Sequence, residues 1–298
     1  MEVPSHRYGV TVSTVRVDLV AVVVSVDGQT PRVLAAGAPR RLPAGPLRAE
    51  QTSLQASLRE FVLEQTGHRL GFVEQLYTFA DLGRGGHAAR EVSISYLGLA
   101  HADTGPGWTR LYDLLPWEDR RPGPRADAGR VEIVRAIRAW ARPDRSARAS
   151  FLWGLDGHPW RPELALQRYE LLWEAGLVAE SSDATEATGE GMVQDHRRIV
   201  ATALSRLRAT LQYRPVVFEL MPDAFTLGRL QVVVEALAGS TVHTPNFRRL
   251  VGQHGLVEPT GGVDHGTGGR PARLYRFHRA LFTERDLVGT KLPVPRAR

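Results

Sequence analysis

The chain has 298 residues, and its 38 Lys and Arg against 32 Asp and Glu give a net charge of +6. This length is sufficient for two domains that each bury an apolar core. Cysteine is absent, which excludes disulfides and thiolate metal sites. We find neither a signal peptide nor an apolar run of membrane-spanning length, and therefore expect a cytoplasmic protein without a membrane partner.

Positive charge is concentrated in the last third of the chain. Residues 211–298 carry 12 basic and 7 acidic side chains, whereas residues 151–210 carry 6 basic and 9 acidic ones. A basic excess of this kind suits a partner with a phosphate backbone. Charge therefore favours a nucleic-acid function for the carboxy-terminal region.

Strands and helices alternate in the first 145 residues. The apolar patterns predict strands over residues 10–26, 32–36, 72–79 and 92–100. A helix is predicted over 53–65 from the spacing of its apolar residues, and another near 131–141. Mixed strands around a helix, followed by a second helix, indicate an α/β sandwich.

The stretch from Leu42 to Gly67 joins a Leu-Pro-Ala-Gly loop to the first predicted helix. It resembles the Nudix box of diphosphate hydrolases, in which glutamates of the helix hold a divalent metal. Aligned on the Thr66-Gly67 helix stop, one of three glutamates survives, Glu64. Aligned on Arg59-Glu60, with one residue inserted, Glu60 and Glu64 survive and Leu63 replaces the third.

In either alignment a metal ligand is missing. Magnesium requires a near-octahedral set of oxygen ligands, so we predict no catalytic residue and no metal site. An alternative remains open, because Glu60 and Glu64 stand at i and i+4 and share a helix face. These two carboxylates are either ordinary solvated side chains or a weak metal site.

A second resemblance lies in Gln75-Leu-Tyr-Thr-Phe79, the following loop with Arg84, and residues 93–100. This pattern resembles the sensor domain of the Nudix-related transcriptional regulators of NAD metabolism, the NrtR family. Leu114-Leu-Pro-Trp-Glu-Asp-Arg-Arg121 resembles the longer NadQ-type branch. The resemblance implies a domain that binds NAD, ADP-ribose or ATP as effector, with no required cofactor.

Four residues are candidates for binding this ligand: Arg84, Arg90, Tyr77 and Glu64. Arg84 and Arg90 lie on a glycine-rich loop, and guanidinium groups pair well with a diphosphate. A solvated surface loop is the alternative. Tyr77 alternates with Phe79 along a strand, so both are more easily explained as core residues than as base-stacking groups.

The middle of the chain is predicted to be a helical linker, residues 146–212. Residues 102–130 and 142–162 are rich in Pro, Gly and Arg and indicate long connections. Helices are predicted over 162–176 and 193–213, and the acidic stretch 181–191 indicates a flexible linker. The apolar stripe of the 193–213 helix is either a dimer interface or an internal packing face.

The pattern of residues 213–298 predicts a winged helix-turn-helix. A helix over 225–239, capped by Thr226, is followed by a second helix over 245–255 and a basic hairpin. The candidate DNA-binding residues are Thr244, Asn246, Arg248, Arg249, Arg270 and Arg273. Asn246-Phe247-Arg248-Arg249 and the stretch 269–277 also resemble the terminal domain of the NrtR family.

The sequence thus predicts three regions: a Nudix-like sandwich over 1–145, a linker over 146–212, and a winged helix over 213–298. The leading hypothesis is a homodimeric repressor of NAD biosynthesis genes that binds a double-stranded operator under nucleotide control. One alternative is a Nudix hydrolase of ADP-ribose-like compounds with an appended DNA-binding domain. Another is a protein-interaction module without DNA binding.

Overall fold

The computed structural model describes residues 15–51, 53–81, 91–101, 105–181, 186–211, 216–266 and 271–278. The strands are β1 Arg16–Asp27, β2 Thr30–Leu34, β3 Ala44–Pro46, β4 Val73–Phe79, β5 Glu91–Leu99, β6 Trp108–Arg110, β7 Val257–Asp264 and β8 Ala272–Phe277. The helices are α1 Leu54–Thr66, α2 Leu111–Leu114, α3 Pro124–Trp140, α4 Pro143–Trp153, α5 Ala165–Glu174, α6 His196–Leu211, α7 Leu227–Ala238 and α8 Thr244–Gln253.

The first six strands form one mixed sheet in the order β4-β5-β1-β2-β6, with β3 paired to β1. β1 and β5 are parallel, and the remaining neighbours are antiparallel. The four strands predicted from the sequence are present where the chain is described. β3 and β6 were not predicted, because three residues each are too few for a periodic pattern.

Side chains of β1 alternate between two apolar layers, as the two-residue period of a strand requires. Leu19, Ala21 and Val23 pack in one layer with α1. Val20 and Val22 belong to the opposite layer, which includes α6. The sheet is therefore covered on both faces, which confirms the predicted Nudix-like α/β sandwich.

The position of α6 corrects the prediction of a helical linker over 146–212. α6 contacts β1, β4 and β5, so it covers the second face of the sheet. Its apolar stripe is buried in that core: Ile199, Val200, Ala203, Leu204 and Leu207. Of the two alternatives for this stripe, the structure shows the internal packing face.

The predicted long connections are largely helical. α3 begins at Pro124, and residues 143–153 form α4, which was not predicted. Both helices have proline at their first position, where the missing N–H costs no hydrogen bond. Gly154, with φ of 61°, ends α4 in the left-handed conformation.

The described part of the predicted flexible linker, residues 186–191, is packed against the sandwich. The amide of Glu190 donates to the carbonyl of Asp113 over 2.9 Å. A side chain at Gly189 would lie 2.4 Å from that same carbonyl, so no larger residue fits. This segment is therefore part of the folded structure; residues 182–185 lie outside the described residues.

The last elements form a winged helix. α7 and α8 pack together, and β7 and β8 form an antiparallel hairpin joined to Phe225 through Tyr275. Side chains of α7 and α8 belong to the same continuous apolar cluster as α6. None of the helices among the described residues has both the length and the apolar character of a membrane span.

Candidate functional site

α1 is the helix of the Nudix-like box, and its ends are fixed by local hydrogen bonds. The hydroxyl of Ser53 accepts from the amide of Ala56 over 3.4 Å at its start. Gly67 ends the helix in the left-handed conformation, and its amide donates to Leu63 O over 2.8 Å. The predicted helix and its stop are confirmed.

The face of α1 toward the preceding loop is occupied by an aromatic ring and an amide. Phe61 lies so close to Gly45 that a Cβ at this glycine would stand 2.8 Å from the ring. The Gln65 amide accepts from Ala44 N over 3.2 Å and donates to Ala44 O over 2.7 Å. A carboxylate cannot make the second bond, because it has no hydrogen to donate.

The surviving glutamates, Glu60 and Glu64, are exposed on α1. Within the described ranges, no three His, Asp or Glu side chains are grouped so that they could hold a metal ion. Arg59 of the box has a structural role, because it donates to the carbonyls of Leu70 and Gly71. It thereby fixes the chain that follows the helix.

A cavity of about 600 Å³ lies beside the carboxy-terminal end of α1. It is lined by Leu34, Ala35, Ala36, Gly37, Ala38, Pro39, Arg41, Leu42, Pro43, Gln65, Thr66, Pro106 and Gly107. Its volume is within the usual range for small-ligand sites. Among the described residues that line it, Arg41 alone has a charged side chain, and this side chain is exposed.

The loop that carries Arg41 is held to the start of α6. The Leu42 amide donates to His196 Nδ1 over 2.9 Å, so this nitrogen is unprotonated. Burial, and to a lesser extent the charge of Arg41, lowers the pKa of His196 to about 4. The imidazole is therefore neutral at pH 7 and serves as a hydrogen-bond acceptor.

Of the residues predicted to bind the ligand, Glu64 and Tyr77 do not line this cavity. Glu64 is exposed on α1, and Arg84 and Arg90 lie outside the described residues. Tyr77 is 61% exposed on β4, at the opposite edge of the sheet from β2 and β6. Its expected place in the core is wrong, whereas Phe79 is buried as expected.

Arg41 was missed because it follows a second arginine, Arg40, of the same charge and size. Arg40 forms an ion pair with Glu190 over 3.2 Å, while Arg41 lines the cavity. A basic residue immediately before the Leu-Pro-Ala-Gly loop was the available signal. The fold alone determines which of the two arginines contacts the cavity.

The helix-turn-helix is built as the sequence predicted. The Thr226 hydroxyl accepts from Arg229 N over 3.1 Å and caps α7. In α8, Phe247 and Val251 are buried. The two buried residues stand one helical turn apart, so the opposite side of α8 is free for a partner.

The candidate DNA-binding residues divide into three groups. Asn246, Arg248 and Arg249 on α8 and Arg273 on β8 are exposed, while Arg270 lies outside the described residues. Thr244 is partly buried, and its hydroxyl accepts from Gln231 Nε2 over 2.9 Å. This bond ties the start of α8 to α7, so Thr244 also stabilises the turn.

The fold and these sites define a Nudix-like domain joined to a winged helix. Residues 217–277 match the family model described as the NrtR DNA-binding winged helix domain, which confirms the predicted relationship for this region. Assignment to the NadQ-type branch stays a prediction.

One curated relative is the "ADPR responsive transcriptional repressor NtrR" of Acinetobacter baylyi, which is 37% identical over 83 residues. That match spans 28% of this chain and 33% of the relative, so the chain covers about a third of the relative's length.

Two solved structures share the fold. NrtR of Shewanella oneidensis with a 27mer DNA has a TM-score of 0.52 and 20% identity, over 88% of this chain and 93% of that one. A MutT/nudix family protein of Enterococcus faecalis has a TM-score of 0.54 and 16% identity, over 91% and 90% of the two chains. Both structural alignments include the sandwich and the carboxy-terminal domain, because each alignment covers most of the two chains.

Proposed function

We propose that this protein is a transcriptional repressor of NAD-metabolism genes, and that a nucleotide bound to its Nudix-like domain controls its binding to DNA. The main observation in support of the proposal is that one chain contains both a Nudix-like sandwich and, at residues 217–277, a winged helix that matches the NrtR family model. The curated relative is named as responsive to ADPR, which makes ADP-ribose the first effector to test.

The box geometry supports a binding domain rather than a hydrolase. Phe61 and Gln65 occupy the face of α1 next to the loop: the Phe61 ring packs against Gly45, and Gln65 donates to Ala44 O a hydrogen bond that a carboxylate could not make. A metal held by Glu60 and Glu64 alone would lack the ligands needed to position a water nucleophile. We therefore propose that the box keeps its shape as a binding surface without hydrolysis.

The cavity beside α1 is the proposed effector site. Its apolar walls suit the faces of a nucleotide base, and the exposed guanidinium of Arg41 suits a diphosphate, which it can bind through two parallel hydrogen bonds. Arg84 and Arg90 remain proposed contacts on the basis of the sequence alone. NAD carries the same diphosphate group and ATP carries a triphosphate, so they are the competing effectors.

The proposed DNA interface is the exposed side of α8 together with the hairpin. A helix fits the major groove, where arginine reads guanine and asparagine reads adenine. Arg248, Arg249 and Asn246 are exposed on α8, and Arg273 is exposed on β8. A homodimer would place two such helices in half-sites about 34 to 36 Å apart on a palindromic operator.

The test is an electrophoretic shift with DNA from the promoter of its own gene and from NAD-synthesis genes. ADP-ribose, NAD and ATP are added separately, and nucleotide hydrolysis with Mg²⁺ is assayed in the same tubes. We expect a specific shift that ADP-ribose changes, without turnover. Magnesium-dependent turnover that Glu64→Gln abolishes, without a specific shift, would instead establish the hydrolase alternative.

A further inference from the structure

α6 is attached at its amino end to the loop that lines the cavity. His196, its first residue, accepts from the amide of Leu42 over 2.9 Å. Just before the helix, the Val193 amide donates to the carbonyl of Arg40 over 3.0 Å. Arg41 lies between the two loop residues held in this way. A ligand that moves Arg41 therefore acts directly on the start of α6.

At its carboxy end, α6 is attached to the winged helix. Arg208 donates from Nε to the carbonyl of Leu237 over 3.0 Å. The neighbouring carbonyls of α7 are bound in the same way, because the Tyr112 hydroxyl donates to Ala236 O over 2.6 Å. The backbone amide of Arg120 donates to Gly239 O, also over 2.6 Å.

The last carbonyls of a helix have no partner within it and must be satisfied from outside. Here the donors to the carboxy-terminal end of α7 come from the Nudix-like side of the molecule. The contact is close: a Cβ at Gly239 would lie 2.2 Å from Glu118 O and 2.6 Å from Arg208 Nη2. The chain then turns directly into α8, the helix proposed to contact DNA.

Glu118 of the Pro-Trp-Glu-Asp segment fixes Arg208 in this position. Both side chains are fully buried and form an ion pair, and Arg168 donates to the same carboxylate over 2.6 Å. Burial opposes ionisation of Glu118, but the two arginines outweigh it and hold the pKa of this carboxyl below its usual range. The Arg208 guanidinium is thereby restricted to one orientation.

Between its two ends, α6 is embedded in the core. His196 and Arg208 are separated by 12 positions, which corresponds to about 18 Å along a helix. Most of the side chains between them are buried, and the helix contacts the sheet and α5. A closely packed helix moves as a unit rather than bending locally, so displacement at one end is passed to the other.

We propose that α6 couples the effector cavity to the winged helix, with Arg208 and Tyr112 forming the joint at the end of α7. This inference rests on the proposed function, since it describes how the effector changes DNA affinity. When the ligand displaces the loop that contains Arg41, α6 shifts with it. The carboxy-terminal end of α7 then also moves, because Arg208 and Tyr112 are hydrogen-bonded to its carbonyls. The orientation of α8 toward DNA changes as a result.

The test compares the Kd for promoter DNA with and without saturating ADP-ribose in wild type and three variants. Tyr112→Phe removes only the hydroxyl, which donates to Ala236 O and accepts from Arg208 Nη2 over 3.4 Å. Arg208→Lys keeps a charge beside Glu118 but loses the planar fork that also reaches Leu237 O. The control is Ser205→Ala, which removes the 2.8 Å bond between α6 and the Leu166 amide on the side of α5.

Couplings between sites are commonly about 5- to 150-fold in affinity. The coupling ratio is the Kd for promoter DNA with saturating ADP-ribose compared with the Kd without it. We expect Tyr112→Phe and Arg208→Lys to bring this ratio at least about threefold closer to one than in wild type. Ser205→Ala should keep that ratio, and the ADP-ribose Kd should stay within about twofold in all variants. Hydrogen exchange provides a second measurement: ADP-ribose should alter exchange at residues 236–243 in wild type and not in Tyr112→Phe.

An unchanged ratio in Tyr112→Phe, with the wild-type exchange response retained, would overturn the coupling role of α6, whether or not Arg208→Lys folds. If the coupling ratio also fell in Ser205→Ala, the proposal would be overturned, since non-specific weakening of the packing around α6 would then explain the effect. A wild-type protein that binds neither ADP-ribose nor promoter DNA would instead refute the proposed function. The two failures are thus distinguishable.

Discussion

The side-chain amide of Gln65 binds both backbone groups of Ala44, accepting from its N–H over 3.2 Å and donating to its carbonyl over 2.7 Å. The end of the box helix is thereby joined to the loop that precedes it. In an active Nudix box this helix presents carboxylates, so the same scaffold here serves a structural purpose.

Gln65→Glu should destabilise the protein and should not produce hydrolysis. The substitution removes the donor to Ala44 O and brings a negative charge toward that carbonyl. Because the site is exposed, we expect a loss of only about 1 kcal/mol in the free energy of unfolding. Urea denaturation measures it. Gln55→Glu, exposed on the same helix, is the matched control and should change stability by less than about 0.5 kcal/mol.

Arg41→Gln should weaken ADP-ribose binding while DNA binding without nucleotide is retained. Loss of a charge-assisted hydrogen bond to a diphosphate costs about 1.5 to 3 kcal/mol, which is roughly 10- to 150-fold in Kd. Isothermal titration calorimetry measures the affinity. Arg48→Gln, an exposed arginine outside the cavity, should bind as wild type does. Unchanged affinity in Arg41→Gln would remove the cavity from consideration as the effector site.

Arg84→Ala tests the other proposed contact in the same assay. If Arg84 contacts the diphosphate, as predicted from the sequence, this variant should also lose affinity, since the guanidinium would be removed from a charge-assisted pair. If Arg84→Ala binds ADP-ribose with wild-type affinity while Arg41→Gln binds it weakly, Arg84 does not contact the nucleotide.

Arg248→Ala and Arg249→Ala should weaken promoter binding without affecting ADP-ribose binding. Removing a residue that reads a base edge costs about 1 to 3 kcal/mol, whereas removing a phosphate contact lowers the salt dependence of binding by about one counterion. Fluorescence anisotropy at several salt concentrations separates these roles. Arg145→Ala on α4 removes the same charge at a distance from α8 and is the control. Full affinity in both α8 variants would exclude this helix from the interface.

His196 should make stability dependent on pH. Its pKa of about 4 in the folded protein lies below the unfolded value of 6.5, so the unfolded chain takes up the proton first. The stabilisation that neutral His196 gives the folded state is fully present above about pH 6.5 and is lost as pH falls toward 4. Between pH 7 and pH 4.5 we expect a loss of about 2 to 3 kcal/mol from this group.

His196→Asn isolates this contribution, because the asparagine oxygen accepts a hydrogen bond and does not titrate. Urea unfolding of both proteins across this pH range provides the comparison. Between pH 7 and pH 4.5, the free energy of unfolding of the variant should fall by about 2 to 3 kcal/mol less than that of wild type. Parallel curves would show that the imidazole does not remain neutral in the folded protein.

The sequence by itself determined the features that depend on neighbouring residues. The box helix was predicted from apolar spacing and its glycine stop, and α7 from its Thr226 cap. The apolar residues Phe247, Leu250 and Val251 predicted the inward face of α8, on which Phe247 and Val251 are buried, and the motifs indicated an NrtR-type winged helix. Such features follow from the period of a helix or strand, which a few consecutive residues contain.

Tertiary structure alone decided how these elements meet. The stripe on α6 is equally apolar in a dimer interface and in a core, and only the sheet beside it shows which is present. Arg40 and Arg41 are identical in sequence terms, yet the fold brings Glu190 to the first and the cavity to the second. Glu118 and Arg208 are 90 positions apart, and their pairing depends on chain topology, which no local pattern contains.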